Sequence, residues 1–464
     1  VAGGRPVGGG GAGIHATGKA FGMKQLIFMI ALTLIGVVGS LTISPFYGLA
    51  VYYLFAILRP QFMWWWSLPA GVPWSLYVAW ATIAATLLGV RPARQGQGGV
   101  ESPIPERPRW NSAHVLVLLF GVWICVSFLV MGPSELGTLY MVDYAKHFTM
   151  FIIASLVIRS VRQVWILVLI AASALGYIAY EVNYLYFVNG YLGIARDGYG
   201  GTDNNGAGLL LALGVPLCYF AWEGLRKWWR WLYLGLIPVL IHAVLMTYSR
   251  GAMVSLLVCS PLFFFRSRKR LHLAVIAVAV AALVPFLAGK EIRARFFTIE
   301  KSDEDASAQS RFQSWEAGWR IAQDYPIFGA GVRKSMQLVH QYGMDMENRA
   351  IHDQYLQIAA DNGFVGAGLY MAALGATWWG LRRVRRATKS AGDPESCEAY
   401  AAACGIEGAL LVFCTAAIFL SCEMLEAQYI LILLGAQLPA VTSALVRQEA
   451  HAPEPEALKA IAAD

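Results

Sequence analysis

Residues 206–250 read GAGLLLALGVPLCYFAWE (206–223), GLRKWWR (224–230), WLYLGLIPVLIHAVLMTY (231–248) and then Ser249-Arg250. Two apolar runs flank a short connection rich in Trp and basic residues. A helix needs about 17–25 residues to cross the hydrocarbon core of a bilayer, and each run is long enough to do so. Trp228 and Trp229 stand between the runs, where the membrane–water boundary favours aromatic rings. Arg226, Lys227 and Arg230 mark that boundary as cytoplasmic, so the next connection, Ser249-Arg250-Gly251, falls on the opposite side.

The same pattern extends in both directions. Apolar runs lie near 24–39, 46–62, 74–90, 113–132, 143–160, 163–181, 206–223, 231–248, 251–265, 271–288, 363–381, 402–421 and 426–446. The fold class is therefore all-α, a polytopic membrane protein with about 12–13 transmembrane helices. Composition agrees: 57% of the 464 residues are hydrophobic and 14% charged, more apolar surface than a soluble domain of this length can bury. The clusters Arg91/Arg94/Arg107/Arg109, Arg159/Arg162, Arg226/Lys227/Arg230, Arg266/Arg268/Lys269/Arg270 and Arg382/Arg383/Arg385/Arg386 lie an even number of spans apart, so all can face the cytoplasm together. Segments 61–73, 133–142, 182–205, 249–251, 289–362 and 422–425 then share the other side. The N-terminus lies outside for thirteen spans, or inside if the first hairpin, broken by Ser40, Thr42, Ser44 and Pro45, does not fully cross.

This divides the chain into a Gly-rich disordered lead (1–22), an N-terminal transmembrane bundle (23–288), a loop (289–362), C-terminal transmembrane helices (363–446) and a cytoplasmic tail (447–464). The net charge of +7 is spread as clusters between apolar runs, a topology signal and not a nucleic-acid footprint. The seven cysteines avoid the loop, form no CxxC pair and show no metal spacing, so a disulfide framework for the loop is excluded.

Loop 289–362 far exceeds the usual connection of about 4–6 residues and should be structured or functional. Over 308–323, Phe312, Trp315, Trp319 and Ile321 recur at near-helical spacing, which predicts an amphipathic helix at the membrane interface. Asp324-Tyr325-Pro326 and Gly329-Ala330-Gly331 read as turns, and 350–361 as a second short helix ending at Gly363.

Three residues stand out as chemistry. Arg250, in Thr247-Tyr248-Ser249-Arg250-Gly251, either anchors to lipid phosphates or grips a phosphate of a substrate. An Arg in a short external turn runs against the positive-inside pattern, and Gly251 would let the backbone approach a ligand, which favours the second account. Arg311 is one of nine Lys/Arg in the loop, and spacing alone leaves it on a solvated face. Asp303, Glu304 and Asp305 before it form a loose acidic run without metal spacing. His352 opens the second loop helix, and histidine suits general-base work near neutral pH, although a lone His is more often structural. Asp353 and Gln357, at i and i+4, would form a polar face beside it.

In 182–205, Arg196-Asp197 and Thr202-Asp203-Asn204-Asn205 read equally as a turn-rich helix cap or as an amide-rich rim for sugar hydroxyls. Lys146 and His147 interrupt an apolar run and should face the bundle interior.

TYSRGA (247–252), SAQSRFQSWEAGWRIAQDYPIFGAGV (307–332) and HDQYLQIAADNGFVGAGLY (352–370) together resemble the O-antigen ligase and O-antigen polymerase superfamily, which also includes protein O-oligosaccharyltransferases. TDNNGAGLLLALGVPL and FTIEKSDEDASAQSR are most similar to the ligases found with exosortase systems. The resemblance spans roughly 140–446. It implies a glycosyltransferase of the C-type architecture in the bacterial inner membrane, with the large loop and the active site facing the periplasm. It implies a glycan donor on undecaprenyl pyrophosphate, an acceptor hydroxyl on lipid A–core or another glycan or protein, and no cofactor, metal or nucleotide. Arg250 and Arg311 match the family arginines assigned to the pyrophosphate, and His352 matches the family histidine. Arg196, Asn204, Asn205, Tyr248, Asp353 and Gln357 are candidate substrate-binding or supporting residues. Family ligases often carry Asn after that His; Asp353 here makes a carboxylate-supported base conceivable. A lipid-linked glycan transporter is the rival from another class, but the two halves show no internal repeat.

Overall fold

The computed structural model describes residues 15–90, 110–267, 270–271, 275, 278, 306–343 and 349–442, with the side chains of 15–22 and 306–308 left aside. All but three residues of the predicted run at 271–288, the acidic run at 303–305 and the tail at 447–464 lie outside the described residues.

The described residues form helices and no strand. In chain order the main helices are α1 His15–Thr42, α2 Pro45–Leu58, α3 Trp74–Leu87, α4 Ser112–Met131, α5 Glu135–Val157, α6 Val161–Asn189, α7 Asn204–Gly224, α8 Arg230–Met246 and α9 Arg250–Arg266. They continue with α10 Ala306–Asp324, α11 Gln354–Thr388, α12 Pro394–Ala416 and α13 Glu426–Val441. Apart from α10, each coincides with one of the twelve predicted apolar runs other than 271–288. Six spans within them are long and apolar enough to cross a membrane, and α2, α3, α8 and α13 are shorter apolar helices. The chain is an all-α polytopic membrane protein.

The chain divides into two compact units. In the first, α1–α3 pack through small residues: a Cβ on Gly48 would clash with the Ser40 and Thr82 hydroxyls, so only glycine allows the approach. The Ser44 hydroxyl accepts the Phe46 amide and Pro45 opens α2, a favoured start for a helix.

The second unit is built around α7, which is buried from Gly206 to Trp222. A helix apolar on every side belongs inside a bundle, and α7 packs on α6, α8, α9 and α12. Gly214 and Gly224 set these distances, with Leu240 and Leu175 against the first and Ala401 and Trp165 against the second. On α13, the buried Gln437 accepts from His114 Nε2 through Oε1 at 2.8 Å and donates through Nε2 to the Ser155 and Ile158 carbonyls at 3.2 and 2.6 Å. This ties α4, α5 and α13, since an unpaired amide would be costly there.

Two expectations for α5 separate. His147 is buried, stacked on Tyr429 with ring centroids 4.8 Å apart. Lys146 is exposed and paired with Asp143 at 2.8 Å, because one residue's step around the helix turns it away from the face that buries His147.

Candidate functional site

The described part of the large loop folds over its own small core, in which Ala317 and Ile321 of α10 meet Ala330, Val339, Ile351 and Ala360. Only part of the predicted amphipathic stripe points inward: Ile321 is buried and Trp315 half-buried, whereas Phe312 and Trp319 are exposed. Segment 326–331 lies along 360–364, with Ala330 N–H donating to the Ala360 carbonyl at 2.8 Å, Gly331 N–H to Asp361 at 3.0 Å and Phe364 N–H to Pro326 at 2.8 Å. Gly329 and Gly363, at φ 70° and 72°, permit this pairing; a Cβ on either would strike the facing backbone. The expected short helix at 350–361 is thus the first part of α11, which changes direction at Gly363 and continues to Thr388.

His352 precedes α11 and adopts φ 58°, uncommon for a residue with a side chain. Among the described residues the other non-glycine positive φ values are at Arg59, Tyr248 and Arg333. Both backbone groups of His352 are engaged: its N–H donates to Ser421 Oγ at 3.0 Å, and its carbonyl accepts from Trp315 Nε1 at 3.3 Å. Burial pushes the His352 imidazole below its ordinary pKa, Arg311 and Arg349 push the same way, and Asp203 opposes them. A base must be neutral to accept a proton, and this surrounding favours that form.

Arg311 on α10 therefore acts on His352 from the loop, and Arg349 joins it by donating to the Ser310 hydroxyl. Arg250 opens α9, so its connection is a helix start with Ser249 as the N-cap, whose hydroxyl accepts Ala252 N–H at 3.4 Å. Tyr248, at φ 54°, turns the chain into that cap. Ser249 Oγ donates to Asn205 Oδ1 at 3.1 Å, and Asn204 Nδ2 donates to the Thr247 carbonyl at 3.0 Å. The TDNN segment is thereby fastened to the Arg250 turn, while Asp203 caps α7 through Gly206 N–H at 2.8 Å and faces His352 electrostatically. Gly251 makes room for Phe419, whose Cβ lies 3.1 Å from an ideal Cβ at that position. The Phe419 ring lies 6.3 Å from that of Trp315, completing a path of contacts from the Arg250 turn to His352.

Two supporting candidates take other roles. Asp353 is the N-cap of α11, its Oδ1 accepting Tyr355 N–H at 2.8 Å and Leu356 N–H at 2.9 Å; that oxygen is occupied with the helix start instead of the imidazole. Arg196 is exposed and paired with Asp197 at 3.0 Å, next to Tyr191. Gln357 points into a buried network with Ser335, Asp361 and Ser421.

Sequence reasoning missed Arg349, Ser421 and the buried pair Arg333–Glu423, 2.6 Å apart. Arg333 also lies with Cζ 4.5 Å from the Tyr140 ring centroid. Burial and the neighbouring Asp361 push the Glu423 carboxyl up to about 7, against the pull of Arg333. A usable signal was present for Glu423, an acid in a short connection between two apolar runs. Among the described residues no three His, Cys, Asp or Glu gather as a metal site requires.

Residues 236–371 match the O-antigen ligase family, Wzy_C. The matched residues include Arg250, Arg311, Arg349 and His352. The match supports a ligase-type enzyme in general. The TDNN segment and Ser421 fall outside the matched residues. No curated protein matches the chain.

Proposed function

We propose that this protein is an inner-membrane ligase that moves a glycan from undecaprenyl pyrophosphate to a sugar hydroxyl of lipid A–core, at a site open to the periplasm. The observation that carries the reading is that Trp315 Nε1 holds the His352 carbonyl at 3.3 Å against α10, the helix that also carries Arg311, inside the matched ligase segment. The acceptor oxygen attacks the anomeric carbon as His352 takes its proton. The bond from that carbon to the pyrophosphate oxygen breaks, and attack from the opposite face inverts the carbon. Arg250 and Arg311 hold the departing pyrophosphate, whose charge they stabilise in a water-poor site. Two guanidinium groups supply the positive charge, so the reaction is metal-independent, and the lipid pyrophosphate is itself the activated donor. The resemblance of 202–217 and 297–311 to ligases of exosortase systems supports assigning the chain to that branch.

The test is transfer by purified protein from undecaprenyl-pyrophosphate glycan, with mass analysis of the acceptor. His352→Ala and Arg250→Lys should each abolish most transfer, and exhaustive chelation should leave the wild type active. Wild-type rates in both variants would overturn the reading. A single glycan on lipid A–core supports the ligase; a lengthened glycan would make the chain a polymerase, and a glycoprotein a protein O-oligosaccharyltransferase.

A further inference from the structure

The left-handed backbone at His352 has to be held in place, because its side chain disfavours that conformation. The groups that hold it converge on one fully buried amide. Gln357 Oε1 accepts the Ile351 N–H at 3.1 Å and the Ser421 hydroxyl at 3.2 Å, and Ser421 Oγ in turn accepts the His352 N–H at 3.0 Å. Gln357 Nε2 donates to Ser335 Oγ at 2.8 Å and to Asp361 Oδ2 at 2.9 Å. We propose that Gln357, acting through Ser421, is the positioning residue that fixes the His352 imidazole for proton transfer; this rests on the reading of His352 as the base.

The chemistry of the contacts specifies an amide. Ile351 N–H is only a donor, so the Gln357 oxygen must face it, which turns the Gln357 nitrogen toward Ser335 Oγ and Asp361 Oδ2. Both lone-pair sites and both protons are then used. A glutamate of the same shape has no NH2 group, so it cannot donate to both partners, and it sets a second carboxyl group against Asp361. Ser421 is held from its other side as well. Cys422 N–H donates to Gln354 Oε1 at 2.7 Å, and Gln428 Nε2 donates to the Cys422 and Glu423 carbonyls at 2.7 and 2.8 Å. Gln357 has neither Arg250 nor Arg311 among these partners, so loosening it should disturb proton transfer and spare donor binding.

The experiment uses the full chain in detergent with undecaprenyl-pyrophosphate glycan as the probe, rates being normalised to folded protein. Gln357→Glu should lower kcat about tenfold or more, within the range that a small misplacement of a catalytic group produces, with donor KM little changed. Ser421→Ala should lower kcat in the same sense, and Ser421→Thr, which keeps the hydroxyl, should restore it. If Gln357→Glu does not fold, the Ser421 pair carries the test. Wild-type kcat per folded molecule in Gln357→Glu and Ser421→Ala, with His352→Ala inactive, overturns the positioning role and leaves the base assignment standing. A raised KM with unchanged kcat overturns it too, and activity in His352→Ala overturns both readings.

Discussion

Trp315 Nε1 donates to the His352 carbonyl at 3.3 Å, so an indole on α10 holds the backbone of the candidate base. The same ring faces Phe312 at 5.4 Å and Phe419 at 6.3 Å between centroids. Trp315→Phe would keep most of the packing and remove the donor. A lone hydrogen bond of this kind contributes about 0.5–1.5 kcal/mol. The expected outcome is a small fall in melting temperature in detergent and a several-fold fall in transfer rate. An unchanged rate would show that the Ser421 bond alone suffices.

The charges about His352 make its pH profile a direct reading of the site. Burial, Arg311 and Arg349 lower its pKa, and Asp203 raises it. The transfer rate should climb as pH rises through that pKa, with its acid limb below the ordinary value of 6.5. Arg349→Gln removes a like charge, so the pKa rises and the limb moves to higher pH. Asp203→Asn keeps a good N-cap for α7 while removing the opposing charge, and should move the limb to lower pH. Rate–pH curves for the two variants check the sign; shifts in the same direction would contradict the arrangement.

Asp353 offers a separation of two roles. As the N-cap of α11 it is replaceable by Asn, which caps nearly as well, but not by Ala. Asp353→Asn should therefore retain stability and transfer, whereas Asp353→Ala should lose about 1 kcal/mol of stability. Thermal unfolding and transfer assays on both variants settle this. A large loss of rate in Asp353→Asn with stability intact would return the carboxylate to the chemistry.

Helix positions were legible in the sequence because crossing a bilayer imposes length and apolarity on each run by itself, as in 206–223 and 231–248. Arg250, Arg311 and His352 stood out through charge topology and resemblance. The partners of His352 were not legible, because they are distant in sequence: Ser421 and Asp203 have no spacing relationship to 352. The turn at Gly329-Ala330-Gly331 was readable from its glycines, but its pairing with 360–364 is a long-range backbone contact that no local pattern encodes. Asp353 was different. An Asp immediately before an apolar helical stretch is a local cap signal, and that rule was available.

Remote in sequence from the loop, the scaffold holds a buried charge cluster. Glu407 on α12 is fully buried, with Arg266 of α9 donating to its Oε2 and Arg385 of α11 reaching the same oxygen at 2.9 Å. Arg266 also lies with Cζ 5.1 Å from the Trp378 ring centroid. Three helices thus meet at one carboxylate, and both arginines are largely buried. Removing the acid leaves two buried cations with no counter-charge, a change that typically costs about 3–5 kcal/mol. Glu407→Ala should therefore lower the melting temperature in detergent sharply. Glu407→Gln keeps a hydrogen-bond acceptor for the guanidinium groups and should lie between Ala and wild type. Removing one arginine as well relieves the repulsion, so Glu407→Ala combined with Arg266→Met should be more stable than Glu407→Ala alone. A double variant that is further destabilised by the full cost of Arg266→Met would show that the arginine is held by Trp378 and its other neighbours instead of by the carboxylate.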